Sequence, residues 1–136
     1  MKIVYMNPVF IIHGKTLCIR RLKQTDLQDS YYHVMSLFDD VDRTILRSRE
    51  ILDKLENEYI YFVIEDIDIQ MIVGTGTIII TNTSTQLSQF GYIENIMIRQ
   101  DYQNIGLGDI IFQHLKYYCI SVKHCLKLTV NCDHNM

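Results

Sequence analysis

After three strand-like runs the apolar residues of this chain return to a helical period near residue 105, and that change constrains the fold more than any other feature of the sequence. Before it, residues 59–65 (YIYFVIE), 71–81 (MIVGTGTIIIT) and 90–99 (FGYIENIMIR) are dense in β-branched and aromatic side chains and are parted by polar stretches. After it, Leu107, Ile110, Ile111, Leu115, Tyr118, Cys119 and Val122 recur at helical spacing, so residues 105–122 predict one amphipathic helix. The runs YFVI and TIII are apolar on both faces, which predicts strands covered on both sides. The first gap is short and the second, Asn82 to Gln89, is rich in Ser, Thr, Asn and Gln, so an antiparallel meander is the simplest topology.

Toward the N-terminus, residues 16–22 (TLCIRRL) read as a short strand. Thr25 is placed as a helix N-cap, with Gln28 completing a capping box and Leu27, Tyr31, Val34, Met35 and Phe38 following at helical spacing. A second helix is expected over residues 41–56, introduced by Asp39, Asp40 and Asp42. A last strand is expected at 126–132 (LKLTVNC), while the lone proline, Pro8, marks an irregular N-terminus. The order β-α-α-β-β-β-α-β predicts an α/β (α+β) fold with a mixed, mostly antiparallel central sheet flanked by helices. No repeat, low-complexity tract or Pro/Gly-rich linker divides residues 1–136, so a single domain is expected.

Charge and cysteine usage exclude several classes. The net charge is −3 and no stretch gathers Lys and Arg on one face, which disfavours a nucleic-acid partner, since phosphate neutralisation supplies most of that affinity. The apolar run Ile3 to Ile12 is broken by Asn7 and Pro8, is too short to span a bilayer and lacks a small-residue cleavage site. No membrane partner is expected, and the default location is cytoplasmic. Cys18, Cys119, Cys125 and Cys132 form no CxxC pair, which favours reduced thiols, and their spacing fails the zinc templates, so no metal is expected.

The segment with chemistry in it runs from Tyr92 to Gly108. A strand, YIENIMI, passes through RQDYQNIGLG into the strong helix, and Gln103, Gly106 and Gly108 form Q-x-x-G-x-G at the junction. Glycines let backbone N–H groups approach a ligand closely, and a helix N-terminus presents unpaired donors at the positive end of its dipole. Together these make a diphosphate cradle that needs no lysine. The same glycines also suit a plain turn, and the spacing alone leaves both readings open. The dinucleotide fingerprint fails because the motif continues Asp109-Ile110-Ile111 without a third glycine, and the P-loop fails because no Gly-Lys-Ser/Thr follows.

Gln103-Asn104-Ile105-Gly106-Leu107-Gly108 resembles the acetyl-CoA pyrophosphate motif of the GNAT superfamily, Q/R-x-x-G-x-G/A. Tyr92-Ile93-Glu94-Asn95-Ile96-Met97-Ile98 is similar to the H/R-[IV]-E-D-V-V-V strand of the glucosamine 6-phosphate N-acetyltransferases. Ile19-Arg20-Arg21-Leu22 with Asp26 resembles that family's opening L-R-P-L…D, and Val130-Asn131-Cys132 falls where it has a strand ending in Asp/Glu-Cys. The resemblance, which covers about residues 16–135, implies the GNAT acyl-CoA acyltransferase fold, acetyl-CoA as cosubstrate, an amino-sugar phosphate as acceptor and a homodimer. It also implies roles for residues. Backbone groups of Ile96, Met97 and Ile98 would bind the pantetheine arm, and those of Gln103, Asn104, Ile105, Gly106, Leu107 and Gly108 the diphosphate. Glu94 and Asn95 would stand beside the acceptor amine. From the residues alone, Glu94 is either an acceptor orienting an amine or a solvated edge carboxylate.

Departures from the family pattern qualify the expectation. The family's cradle lysines are replaced by Ile105 and Asp109, and an aspartate there repels a diphosphate while suiting the helix dipole. The family continues with a helix whose tyrosine protonates the departing thiolate and a final strand, so the resemblance implies a fold lacking both, with Asn135 as a remnant cofactor contact. Tyr117 and Tyr118 read as helix surface and core, Cys132 as a structural thiol, and His134 as a tail residue. Arg99 and the Asn82–Gln89 loop are candidates for the sugar phosphate. Three functions remain open: a glucosamine 6-phosphate N-acetyltransferase, an acetyltransferase for another small amine or a protein N-terminus, and a non-catalytic acyl-CoA-binding module.

Overall fold

The computed structural model describes residues 7–23, 26, 57–82 and 89–130. They form one six-stranded sheet in the order of the chain: β1 (Val9–Ile12), β2 (Lys15–Arg21), β3 (Asn57–Asp66), β4 (Met71–Asn82), β5 (Gln89–Ile98) and β6 (Lys127–Val130). Every neighbouring pair from β1 to β5 is antiparallel, and β6 joins β5 in parallel, with Phe90 opposite Lys127 and Ile93 opposite Val130. The one parallel pair needs a crossover, which the helix α1 (Leu107–Tyr117) provides. The mixed, mostly antiparallel α+β fold expected from the sequence is the one observed. Both helices expected between Thr25 and residue 56 lie outside the described residues, Asp26 excepted.

The N-terminus departs from expectation. Val9–Ile12 is a strand, joined to β2 by a turn in which His13 and Gly14 both take left-handed backbone angles (φ 49° and 72°). Two central residues with positive φ define the tight hairpin turn whose twist matches its strands. Pro8 stands just before this edge strand, where no ladder donor is lost, and its carbonyl accepts a hydrogen bond from Ile19 N at 3.0 Å.

Strand alternation sorts the sheet into two faces. Leu17, Ile19, Ile60, Phe62, Ile64, Ile78, Ile80 and Ile93 form one core with Tyr102 and with Leu107, Ile111 and Leu115 of α1. Each such fully buried side chain stabilises the fold by about 1.5–3 kcal/mol. The helix sits closest at Gly76: a methyl group added there would lie 2.7 Å from Leu115 Cδ1 and 3.2 Å from Ile111 Cδ1. Phe62 meets the rings of His114 and Tyr118 edge-on, at 5.0 and 5.1 Å between centroids. Burial pushes the His114 imidazole down to about 4, so it packs as a neutral ring.

The opposite face carries a buried cation. Arg20, 8% exposed, donates Nη1 and Nη2 to Asp26 at 2.7 and 2.9 Å and Nε to Glu65 at 3.1 Å. Asp26 Oδ2 also accepts from Lys23 N at 2.7 Å, so one carboxylate ties the end of β2 to the segment that leaves it. The Arg…Asp part of the sequence resemblance is therefore a buried ion pair. The Arg20 guanidinium holds the Asp26 carboxyl below the usual carboxylate range. Its contribution to stability is complete above about pH 4 and is lost as the pH falls through the lowered value. Replacing Asp26 by Asn leaves Arg20 with half its compensation, and the urea midpoint should fall by the equivalent of roughly 2–3 kcal/mol near neutrality. That deficit should shrink as the pH falls from about 4 through the lowered value, where the wild-type carboxylate is itself protonated.

Candidate active site

Strand β5 does not run regularly to its end. Thr77 pairs with Glu94 and Thr75 with Met97, so Gly76 alone stands opposite two residues, Asn95 and Ile96. The extra residue is a β-bulge, a device that re-aims side chains and leaves part of the ladder unpaired. Asn95 carries the distortion at φ 56°, in the left-handed region that asparagine tolerates better than most residues. Its carbonyl accepts from Thr75 Oγ1 at 3.4 Å.

The bulge keeps Glu94 and Met97 on the face away from α1, although three positions separate them. Glu94 is half-buried there, with Oε1 withdrawn from solvent, and Met97 is 4% exposed. Ile96 and Ile98 pack against the core. On the side of β5 where β6 pairs with Phe90–Ile93, no strand among the described residues continues alongside Glu94–Ile98. The two strands thus leave a notch at the bulge, lined by β5 backbone.

Beyond β5 the chain is pinned at successive points. Arg99 N donates to Val73 O at 2.7 Å, and the turn Gln100–Tyr102 closes with Tyr102 N on Arg99 O at 2.8 Å. Tyr102, 3% exposed, donates its hydroxyl to Asp66 Oδ2 at 2.6 Å, under Lys15 Nζ at 4.1 Å from the ring centroid. Burial first, then the bond to Asp66, pushes the phenol up to about 12, so it stays a donor. The Gln103 side chain reaches back to Ile98 O at 2.9 Å and closes the loop on itself.

Asn104 (φ 65°) and Gly106 (φ 88°) then turn the backbone left-handed into α1. Gly106 is the N-cap and supplies no side chain, so no side-chain acceptor caps the first amides of the helix. A Cβ placed on Gly106 or Gly108 would meet nothing within 4 Å. The space over the turn is open, and the donors bordering it are backbone N–H groups at a helix N-terminus. That donor set fits a diphosphate. Asp109, exposed in the first turn of α1, is the group that opposes one.

Of the expected site residues, Glu94, Asn95, Ile96, Met97 and Ile98 lie at the bulged end of β5. Gln103, Asn104, Ile105, Gly106, Leu107 and Gly108 form the turn directly behind it. The structure therefore brings them together. Leu107 is 1% exposed and Ile105 packs on the core, so only their backbones are left for a ligand. Asn135, Cys132 and His134 lie outside the described residues.

Tyr117 is on the surface and Tyr118 in the core, both at the far end of α1 from the glycine turn, as their spacing suggested. Residues 83–88 of the Asn82–Gln89 loop lie outside the described residues. Arg99 follows the end of β5 opposite Gln89, across ten residues that span roughly 30 Å, and is engaged by Asp101 at 2.9 Å and by the Met71 sulfur. Sequence reasoning missed Thr75, Tyr102 and Asp66, which position the notch and the turn; no spacing rule marks a strand threonine or a single loop tyrosine as an anchor.

A strand end opened by a bulge runs through a glycine turn into a helix N-terminus, a donor arrangement that suits an extended ligand with a diphosphate. The sequence profile described as acetyltransferase (GNAT) family matches residues 22–136. The chain belongs to that family, whose members transfer an acetyl group from acetyl-CoA. No curated protein matches the sequence. The fold is similar to that of glucosamine-6-phosphate N-acetyltransferase from Arabidopsis thaliana, with 21% identity, a TM-score of 0.68, and 89% of this chain and 85% of that one covered. It is similar to a Trypanosoma brucei acetyltransferase at 21% identity and a TM-score of 0.68, covering 88% of this chain and 84% of that one. An aminoglycoside 6'-N-acetyltransferase from Acinetobacter baumannii matches at 14% identity and a TM-score of 0.62, with coverage of 88% and 81%.

The bulge makes a prediction of its own. Asn95→Ala must hold a left-handed angle with an ordinary Cβ and should lose about 1 kcal/mol of stability, whereas Asn95→Gly should stay within about 0.5 kcal/mol of wild type. Chemical denaturation of the two variants side by side measures the difference.

Proposed function

We propose that the chain is a single-domain, acetyl-CoA-dependent N-acetyltransferase that acetylates the amine of glucosamine 6-phosphate by direct transfer. The observation that carries this reading is the continuity of the junction: the β5 bulge, the glycine turn and the α1 N-terminus follow one another from Glu94 to Gly108. Acetyl-CoA supplies the activated acetyl group. Backbone groups of Ile96, Met97 and Ile98 that face the notch bind the pantetheine arm and polarise the acyl oxygen, and those of Gln103–Gly108 hold the diphosphate. Glu94, on the face away from α1 beside the notch, orients the acceptor ammonium and takes its proton directly or through water. Holding amine and acyl group together in a near-attack geometry supplies most of the remaining acceleration.

The amino-sugar acceptor is supported by the Tyr92–Ile98 strand and by the Arg20…Asp26 pair, both of which resemble the corresponding family segments. The likeness to the Arabidopsis thaliana enzyme supports the fold on which that chemistry would run. A homodimer is supported by β6, a four-residue strand whose outer edge pairs with no strand among the described residues. A second reading, an acyl-CoA-binding module without turnover, is favoured by Asp109 and by the lack of any Lys or Arg from Gln103 to Gly108.

Thiol release from acetyl-CoA, with and without glucosamine 6-phosphate, tests the proposal. Sugar-dependent release is expected, reduced about 100-fold in kcat by Glu94→Gln. Release with other amines but not with the sugar overturns the acceptor. No release with any amine, accompanied by binding of CoA, overturns the enzyme and leaves the binding module.

A further inference from the structure

Far from the glycine turn, two cysteines meet at the place where the chain leaves α1 for β6. Cys119 is fully buried in the irregular helical turn Tyr118–Val122, and Cys125 is half-buried in the connection that follows. Both sulfurs rest on the same bare spot of β5. A Cβ on Gly91 would lie 3.2 Å from Cys119 Sγ and 3.1 Å from Cys125 Sγ, so the absence of a side chain there makes the slot they share. Cys125 N donates to Cys119 O at 2.9 Å, which with standard backbone lengths keeps the two Cα atoms within about 7 Å. Disulfides join Cα atoms roughly 4.4–6.8 Å apart.

The turn these residues bracket is held by few bonds. Lys123 N donates to Tyr118 O at 3.1 Å and Leu126 N to Gln89 O at 2.9 Å, and His124 sits at φ 54°, a costly angle for histidine. The four-residue β6 begins immediately after it. A covalent link across the turn would fix the approach of β6 to β5 without touching the notch or the glycine turn.

We propose that Cys119 and Cys125 are a reversible thiol–disulfide site, oxidised by low-molecular-weight disulfides and closing a staple across the turn into β6. Cys125 reacts first because it is the more exposed. Burial raises both thiols, Cys119 to about 12, while the Cys119 S–H and the Lys123 ammonium favour the Cys125 thiolate. The Cys125 thiolate attacks one sulfur of the disulfide RSSR, forming Cys125–S–SR and expelling RS⁻. Cys119, its proton passing to the medium, then attacks Cys125 Sγ and displaces the second RS⁻. The two protein thiols lose two protons and two electrons, RSSR gains them, and two RSH are released.

The test is incubation of the full chain with oxidised glutathione, followed by mass spectrometry of its peptides. The expected product is a Cys119–Cys125 cross-link lighter by two hydrogens, a rise in Tm of about 5 °C, and reversal by dithiothreitol. Cys119→Ser should instead accumulate a stable glutathione adduct on Cys125, and Cys125→Ser should leave Cys119 unmodified. Wild-type protein that keeps the adduct on Cys125, links other cysteines, or does not react at all overturns the proposal, whatever the variants do.

Discussion

At Gly76 the central strand presents no side chain, and two features of the molecule meet across that gap. On one side α1 drops onto β4, with Leu115 and Ile111 seated where a Cβ would be. Along the sheet, the same glycine faces the two residues of the β5 bulge. The helix position therefore follows from packing on β4, while the strand end whose backbone it must complement is distorted at the identical level. Filling Gly76 would press on fully buried side chains, a change that overpacked cores resist by about 1–3 kcal/mol. It would also shift the helix start that the glycine turn feeds.

The site that results is built of backbone. Its donors are amides at a bulge and at a helix N-terminus, and the side chains around them act mainly as struts: Thr75 on the bulge, Tyr102 on Asp66, Gln103 on Ile98. Such a cradle offers a helix dipole worth about 0.3–1 kcal/mol to an anion together with several directed N–H groups, but no formal positive charge. Asp109 subtracts from it. Affinity for a diphosphate then depends on geometry more than on Coulomb attraction, which is why the space over Gly106 and Gly108 matters.

Much of this was legible from the residues. Strands β2 to β6 and the amphipathic helix fall within two residues or so of the spans their periodicity predicts, except that the helix loses regularity after Tyr117; residues 131 and 132 of the last expected strand lie outside the described residues. The glycine turn was visible because its composition is unusual and its position, between a strand and a helix, gives that composition a use. Strand β1 was hidden because VFII is apolar throughout and a proline precedes it, although alternate residues are exposed once it pairs at the sheet edge. The bulge was hidden because an inserted residue changes register without changing composition. Tyr102 and Asp66, 36 positions apart, become partners only through the fold.

The proposed seat of the cofactor's diphosphate is the open space above the glycine turn. A calorimetric titration of CoA into wild-type protein and into Gly108→Val tests it directly. The substituted side chain enters space in which a Cβ meets nothing within 4 Å, so Tm should stay near the wild-type value. Wild type should bind CoA, and the variant should bind at least about tenfold more weakly, a loss of about 1.4 kcal/mol. Equal affinity in the two folded proteins would contradict it.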